Sequence, residues 1–172
     1  MILAALSTGV LLLAAGDRVA RRPTTVVIRP EATGISSYTV SPASVTFAAA
    51  NPTTTPSVSG SSTVTLNFSL TGGNTGRTWN IQLKSTTATF AGCTTVPLSA
   101  ITATCGSATG GTGGTCAGGF AVSTTNTQVA SGTEATGIAS YSVTVNFALA
   151  DDWKYLPATC TAQTFSYLLT AN

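Results

Sequence analysis

The sequence contains no histidine and very few charged residues. Seven Lys or Arg and five Asp or Glu stand among 172 residues, so 7% of the chain is charged, against about 25% in ordinary soluble domains. Without histidine, the Ser-His-Asp and Cys-His arrangements of nucleophilic catalysis are excluded, and zinc loses a usual ligand. We therefore expect no enzyme, no metal site and no cofactor.

Paired carboxylates and basic clusters are also scarce. Glycoside hydrolysis needs two opposed carboxylates, whereas Asp151 and Asp152 are neighbours whose side chains would point to opposite faces of a strand. Phosphate binding needs clustered Lys and Arg, and the only such cluster lies between Arg18 and Arg29. From Pro30 onward three basic and four acidic residues remain, a balance of 3 − 4 = −1. We expect no nucleic-acid partner.

The one long hydrophobic run lies at the N-terminus. The run from Ile2 to Ala15 has the length of a signal-peptide core and is short for a membrane span. The small residues at 14–16 suit signal peptidase, although no positive charge precedes the run and the arginines follow it. We predict that residues 1–22 are a signal or short apolar N-terminal helix, with no membrane partner after its removal. An uncleaved helix buried in an assembly or membrane is the alternative.

Four cysteines fit an exported protein. Disulfides persist in oxidising compartments, and Cys93, Cys105, Cys116 and Cys160 include no Cys-x-x-Cys spacing. We predict structural disulfides and an extracellular or cell-surface location. The favoured pairing is Cys93–Cys105 across a hairpin with Cys116–Cys160; Cys105–Cys116 with Cys93–Cys160 is the alternative.

Apolar and polar residues alternate through most of the chain after residue 24, which is typical of strands buried on one face. The clearest runs are Ser62–Leu70, Thr78–Lys84, Tyr141–Leu149 and the segment around Tyr167. Turn residues separate them, at Asn51-Pro52, Ser59-Gly60, Thr71–Asn74 and Ser131-Gly132. We predict one all-β domain, residues 23–172, folded as an immunoglobulin-like antiparallel β-sandwich with an extended N-terminal arm over residues 23–40.

A ten-residue segment occurs twice. Residues 31–40 (EATGISSYTV) return at 134–143 (EATGIASYSV) with eight identities in ten. The repeat indicates either chance reuse of strand and turn residues or two segments shaped for similar grooves in a sheet.

Exposed aromatic residues are candidates for sugar stacking. Trp153 and Tyr155 follow the acidic pair Asp151-Asp152 and are the candidate ligand-binding residues, whereas Trp79, Tyr141 and Tyr167 alternate as core residues do. Core packing remains the alternative for Trp153 and Tyr155 as well.

The end of the chain resembles a known group of proteins. The segments YSVTVNFALADDWKY (141–155) and TFSYLLT (164–170) resemble the closing strands of secreted bacterial surface and fimbrial sandwiches. The resemblance covers about the last third of the chain, names no particular family and transfers no functional residue. It implies a structural role at a cell surface.

These observations favour a secreted subunit of an extracellular filament, pilus or surface layer that binds copies of itself by β-strand addition. The candidate assembly strand is the β-prone stretch Thr24, Thr25, Val26, Val27 and Ile28. The alternative is a surface adhesin or carbohydrate-binding module that holds a surface glycan. The Thr residues on outward strand faces suggest a third hypothesis, that the sheet binds ice or a crystalline polymer.

Overall fold

The alternating pattern produces strands almost throughout the computed structural model. It describes residues 24–33, 35, 37–70, 77–90, 92–110, 113–134, 139–155, 160 and 162–171. The predicted signal segment, residues 1–22, and Pro23 at the start of the predicted arm lie outside the described residues. Within the described residues there is no α-helix, and one 3-10 turn spans Leu98–Ala100. No described helix has the length and apolar character to cross a bilayer.

Fourteen strands form in the described part of the chain. They are β1 (Thr24–Thr33), β2 (Ser37–Ser41), β3 (Ser44–Phe47), β4 (Ser57–Ser59), β5 (Val64–Leu70), β6 (Thr78–Ser85), β7 (Thr89–Phe90), β8 (Cys93–Pro97), β9 (Ile101–Thr109), β10 (Gly114–Cys116), β11 (Phe120–Ala121), β12 (Thr127–Thr133), β13 (Ala139–Ala150) and β14 (Gln163–Ala171).

Two large sheets pack against each other, which confirms the all-β, two-sheet class. The first sheet has the order β10-β12-β6-β14-β1-β3, and the second has the order β11-β9-β13-β5-β2, with β4 also pairing with β13. Alternate residues of both sheets turn inward, so β5 is buried at every second position and β6 from Trp79 onward likewise. The four strands with the clearest alternation, β5, β6, β13 and β14, lie inside the two sheets, and each packs one face against the other sheet while its opposite face is mainly polar.

An aromatic cluster joins the two sheets. The Trp79 ring of β6 meets the Phe68 ring of β5 edge-on at 5.2 Å, and Phe68 stacks on Tyr141 of β13 at 5.0 Å. Gly132 makes room for this cluster, since a Cβ there would lie 2.5 Å from the Trp79 ring. Ser131-Gly132, which the sequence indicates as a turn, is therefore part of β12: the glycine permits close packing instead of ending the strand.

The expectation of a purely antiparallel sandwich is wrong for one pair of strands. β1 pairs parallel to β14 over eight residue positions and antiparallel to β3. Hairpins force antiparallel neighbours, but β1 and β14 lie at opposite ends of the described chain and share no hairpin. After Thr33 the chain crosses to the second sheet as β2, so a hairpin does not fix the direction of β1 against β14.

The favoured disulfide pairing is wrong, and the alternative is observed. Cys105 bonds Cys116, and Cys93 bonds Cys160. The error has a structural cause: residues 106–109 continue β9 instead of starting a free loop, and β10 returns on the edge of the first sheet. Cys105–Cys116 therefore links the two sheets along one side, while Cys93–Cys160 ties the β6–β9 connection to the β13–β14 connection.

One core tyrosine makes stability sensitive to alkaline pH. The Tyr167 hydroxyl is buried and has no hydrogen-bond partner among the described residues, and this burial raises the pKa of Tyr167 well above its ordinary value. In the unfolded chain a phenol ionises near pH 10. Above that pH the unfolded state binds fewer protons than the folded state, so stability falls as pH rises toward the folded-state pKa.

We expect Tyr167→Phe to reduce this alkaline loss. At neutral pH the variant should be neutral or more stable by about 1 kcal/mol, because an unsatisfied buried hydroxyl is removed. Urea unfolding at neutral pH and at about pH 11 measures both effects. Tyr38→Phe is the comparison: the Tyr38 phenol is a smaller cause of the raised pKa of Tyr167, and its removal leaves the buried Tyr167 hydroxyl in place, so most of the alkaline loss should remain. Clear destabilisation of Tyr167→Phe at neutral pH would contradict the assignment.

Candidate functional site

The candidate assembly strand lies inside the chain's own first sheet. Its residues occupy the first half of β1, where Val26 aligns with Gln163 of β14 on one side and with Val45 of β3 on the other. The Ile28 amide donates to the Ala43 carbonyl at 2.9 Å. Because successive amides of a strand point to opposite sides, the Val27 amide faces β14. Backbone hydrogen bonds on both edges hold this strand.

Of the four candidate-strand side chains whose burial is described, two enter the core. Val26 and Ile28 are buried, at 0% and 4% exposure, whereas Thr25 and Val27 are half-buried on the outer face. The Thr24 backbone pairs with Phe47, and its side chain lies outside the described part. The strand therefore contributes a backbone ladder along its length and a small, discrete part of the hydrophobic core.

The predicted arm continues into the second sheet as β2. Of its residues, Tyr38 and Val40 are half-buried and the other three are exposed. β2 pairs with β5 and is the last strand of the second sheet, so its other edge has no strand partner among the described residues. The arm thus supplies one strand to each sheet. The alternation predicts two separate weak strands in this region, at Val26–Arg29 and at Ile35–Val40, and the structure has β1 and β2 there, with somewhat different bounds.

The two copies of the repeated segment flank the same strand. In the first copy Tyr38 pairs with Phe68 and Val40 with Leu66 of β5. In the second copy Tyr141 and Val143 pair with the same two β5 residues from the opposite edge. Both copies run antiparallel to β5; the first begins in β1 of the first sheet and ends in β2 of the second. The aligned residues are the same, but Phe68 directs its backbone groups to one edge only, so the two copies meet different hydrogen-bonding patterns.

The two candidate ligand-binding aromatics differ in exposure. Trp153 is 50% exposed and is the one large hydrophobic side chain exposed among the described residues, whereas Tyr155 is 8% exposed. Lys154 bonds the Asp152 carboxylate at 2.9 Å, which lowers the pKa of Asp152 and raises that of Lys154. The Asp152 carboxylate also accepts the Lys154 amide at 3.1 Å. This turn presents Trp153 to solvent and buries Tyr155, so Tyr155 cannot stack on a ligand.

The outer face of the second sheet is polar and uncharged. Two shallow depressions of about 350 and 390 Å³ lie on it, lined mainly by Ser, Thr and Asn. The cross-strand rows mix these residues, as in Thr39–Asn67–Ser142. The hydroxyls also bond one another, for example Ser107 with Thr144 at 2.8 Å. The rows are therefore not the uniform Thr ranks that an ordered crystalline surface would match.

Charged groups do not gather into a reactive centre in the described chain. Arg77 pairs with the buried carboxylate of Glu134 at 3.5 Å, and the Glu134 amide donates to the Arg77 carbonyl at 2.7 Å. No group of three or more His, Cys, Asp or Glu that could hold a metal occurs among the described residues. The two disulfides together include all four cysteines.

Comparison with known proteins adds no family assignment. No protein-family model matches the chain, and neither a curated protein nor a solved structure shows a significant match to it.

Proposed function

We propose that the chain is a secreted structural subunit of an extracellular filament, pilus or surface layer, built as an immunoglobulin-like sandwich and joined by exchange of its N-terminal strand. One observation carries the proposal: β1 lies between β14 and β3, held by backbone pairing on both edges, with Val26 and Ile28 buried in the core. Any copy of the chain can offer the same strand to the same groove.

The energetics of strand exchange favour this arrangement. A strand that leaves its own sheet and enters the identical sheet of a neighbour regains the same hydrogen bonds and the same buried side chains, so exchange costs little at equilibrium. The groove between β14 and β3 is also always filled, either by the chain's own β1 or by that of a neighbour. The facing edges of these two strands are therefore protected from unspecific pairing. The position of β1 supports exchange of this strand between copies over the addition of an extra strand, because β1 of the same chain already fills the groove between β14 and β3.

Composition and disulfides support the location and the absence of catalysis. The two disulfides suit an oxidising, extracellular setting. A surface rich in neutral Ser, Thr and Asn keeps its hydrogen bonding when external pH and salt change. Such a surface suits a structural role better than a catalytic one.

Electron microscopy of the purified mature chain, with N-terminal sequencing of the same sample, tests the proposal. We expect regular polymers whose chains retain residues 24–41. A sample that stays monomeric over a wide concentration range, with this segment intact, would count against the filament function.

A surface adhesin or carbohydrate-binding module is the second candidate, because Trp153 is half exposed on an ordered turn. An exposed tryptophan offers a flat face on which a sugar ring can stack. We expect Trp153→Ala to abolish any glycan binding on an array while the free energy of unfolding changes by less than about 0.5 kcal/mol. Binding that survives the substitution would remove this candidate, and Trp153→Phe, which keeps an aromatic face, is its control.

A further inference from the structure

We propose that β5 recognises the tetrapeptide Ser-Tyr-(Thr or Ser)-Val, and that in the assembly its outer edge receives this sequence from β2 of a second copy of the chain. This inference rests on the proposed function and deepens it, because it names the second joint and the element that sets its register. It starts from the repeated segment, whose two copies bind opposite edges of one strand in the same direction and register.

The tyrosine of each copy fixes the register. Tyr141 stacks on the Phe68 ring at 5.0 Å. On the other edge Tyr38 is also paired with Phe68, is half-buried, and donates its hydroxyl to the Tyr167 carbonyl of the first sheet. A slip of one residue would turn Tyr38 to solvent and Thr39 inward. An incoming strand with this tetrapeptide is therefore held in one alignment.

The two copies are bound with different strength, and only the first is free to exchange. Tyr141 and Val143 are buried, and β13 has strand partners on both sides. Tyr38 and Val40 are only half-buried, and β2 pairs on one edge among the described residues. Segments with few buried apolar contacts open at low free energy. The same recognition sequence is thus permanent in β13 and exchangeable in β2.

A second copy of this chain is the occupant that the geometry favours. Each copy carries the arm, residues 24–41, and both acceptor positions: the groove beside β14 and the outer edge of β5. Pro42 and Ala43 form the short link from β2 to β3. If the link extends, one arm fills both sheets of the next copy, and the vacated positions accept the arm of the copy before. Such a head-to-tail contact continues into a filament unless its rotation closes a ring.

Site-directed cross-linking of the full chain tests this contact. One variant carries Ser37→Cys and the other Ser69→Cys; these residues are directly opposite each other on β2 and β5. The two chains, distinguished by tags, are produced together, and the polymer is analysed on non-reducing gels and by mass spectrometry of the linked peptides. The matched control replaces Ser37→Cys with Ser140→Cys, which faces the same Ser69 from β13 and is likewise exposed.

We expect at least about tenfold more cross-link between chains for the 37–69 pair than for the 140–69 pair, because a docked strand holds its thiol at an effective concentration near millimolar. Polymers in which the two pairs cross-link equally little would overturn the β2 exchange and leave the exchange of β1 intact. Cross-linked closed dimers without filaments would support the exchange and count against the filament. Absence of both polymers and cross-links would overturn both proposals.

Discussion

Replacing Val27 with proline is expected to abolish polymer formation and to lower the stability of the fold. The Val27 amide faces β14 near the start of the β1–β14 ladder, where Val27 aligns with Thr164; on the other side Val27 aligns with Ser44, at the end of the β1–β3 ladder. Proline removes this amide, places a ring against the neighbouring strand, and leaves a carbonyl without its donor. We expect a loss of about 3 kcal/mol, which lowers Tm by about 6–12 °C in a chain of this length.

Val27→Thr is the matched control for this experiment. Threonine keeps the amide and the β-branched shape, and Val27 is half-buried on the outer face, so the core is unchanged. We expect it to polymerise as the parent chain does and to melt within a few degrees of it. Electron microscopy and thermal unfolding of the two variants give the comparison. Filaments of Val27→Pro that match those of the parent would show that β1 is not the joint.

Loss of the Cys93–Cys160 disulfide is expected to destabilise the chain most among the cysteine variants. The bond closes a loop of 67 residues in sequence, against 11 for Cys105–Cys116. Loop-closure entropy then gives about 4 kcal/mol for the first and about 3 kcal/mol for the second. Burial adds to the difference, since Cys93 and Cys160 are both buried, whereas Cys105 and Cys116 are half-buried.

The double variants Cys93→Ala with Cys160→Ala and Cys105→Ala with Cys116→Ala separate the two contributions. Removing both partners of a bond avoids a free thiol that could pair wrongly. Urea unfolding of each variant, with the slope compared as well as the midpoint, gives the two free energies. Equal losses, or a larger loss for the shorter loop, would show that chain entropy does not set the order and that the link between the sheets matters more.

The strands with the strongest alternation were predictable from sequence. β5, β6, β13 and β14 each place apolar residues at every second position, because each packs one face against the other sheet. Their inward residues, such as Leu66, Trp79 and Phe165, are buried as expected. For these strands the alternation of apolar and polar residues is sufficient to predict the buried face, because that alternation lies within the sequence of each strand.

Features that depend on distant partners were not predictable. The parallel pairing of β1 with β14 and the pairing of the cysteines depend on how the two sheets close, and neither leaves a local trace. Ser131-Gly132 has the composition of a turn. In the fold Gly132 instead makes room for the ring of Trp79, which lies far away in sequence, so the sequence around Gly132 does not reveal this role. For Tyr155 the sequence leaves ligand binding and core packing open, and the structure buries its side chain, at 8% exposure.

The repeated segment, residues 31–40 and 134–143, is the sequence feature that relates to a specific strand pairing in the fold. From residues alone, reuse of strand chemistry by chance was as good an explanation as a common groove. In the fold both copies lie beside β5, with Tyr38 and Tyr141 opposite the same Phe68, as the interpretation of a shared neighbour expects. A duplicated segment in an all-β chain can therefore indicate which strand edge accepts which sequence.

A cryo-electron microscopy structure of the polymer would test strand exchange most directly. The exchange predicts continuous density in which residues 24–41 leave one subunit at Pro42 and occupy the positions of β1 and β2 in the next. Tyr38 of one chain would then lie opposite Phe68 of its neighbour. Density that traces residues 24–41 back into their own subunit, with subunits joined through other surfaces, would contradict it.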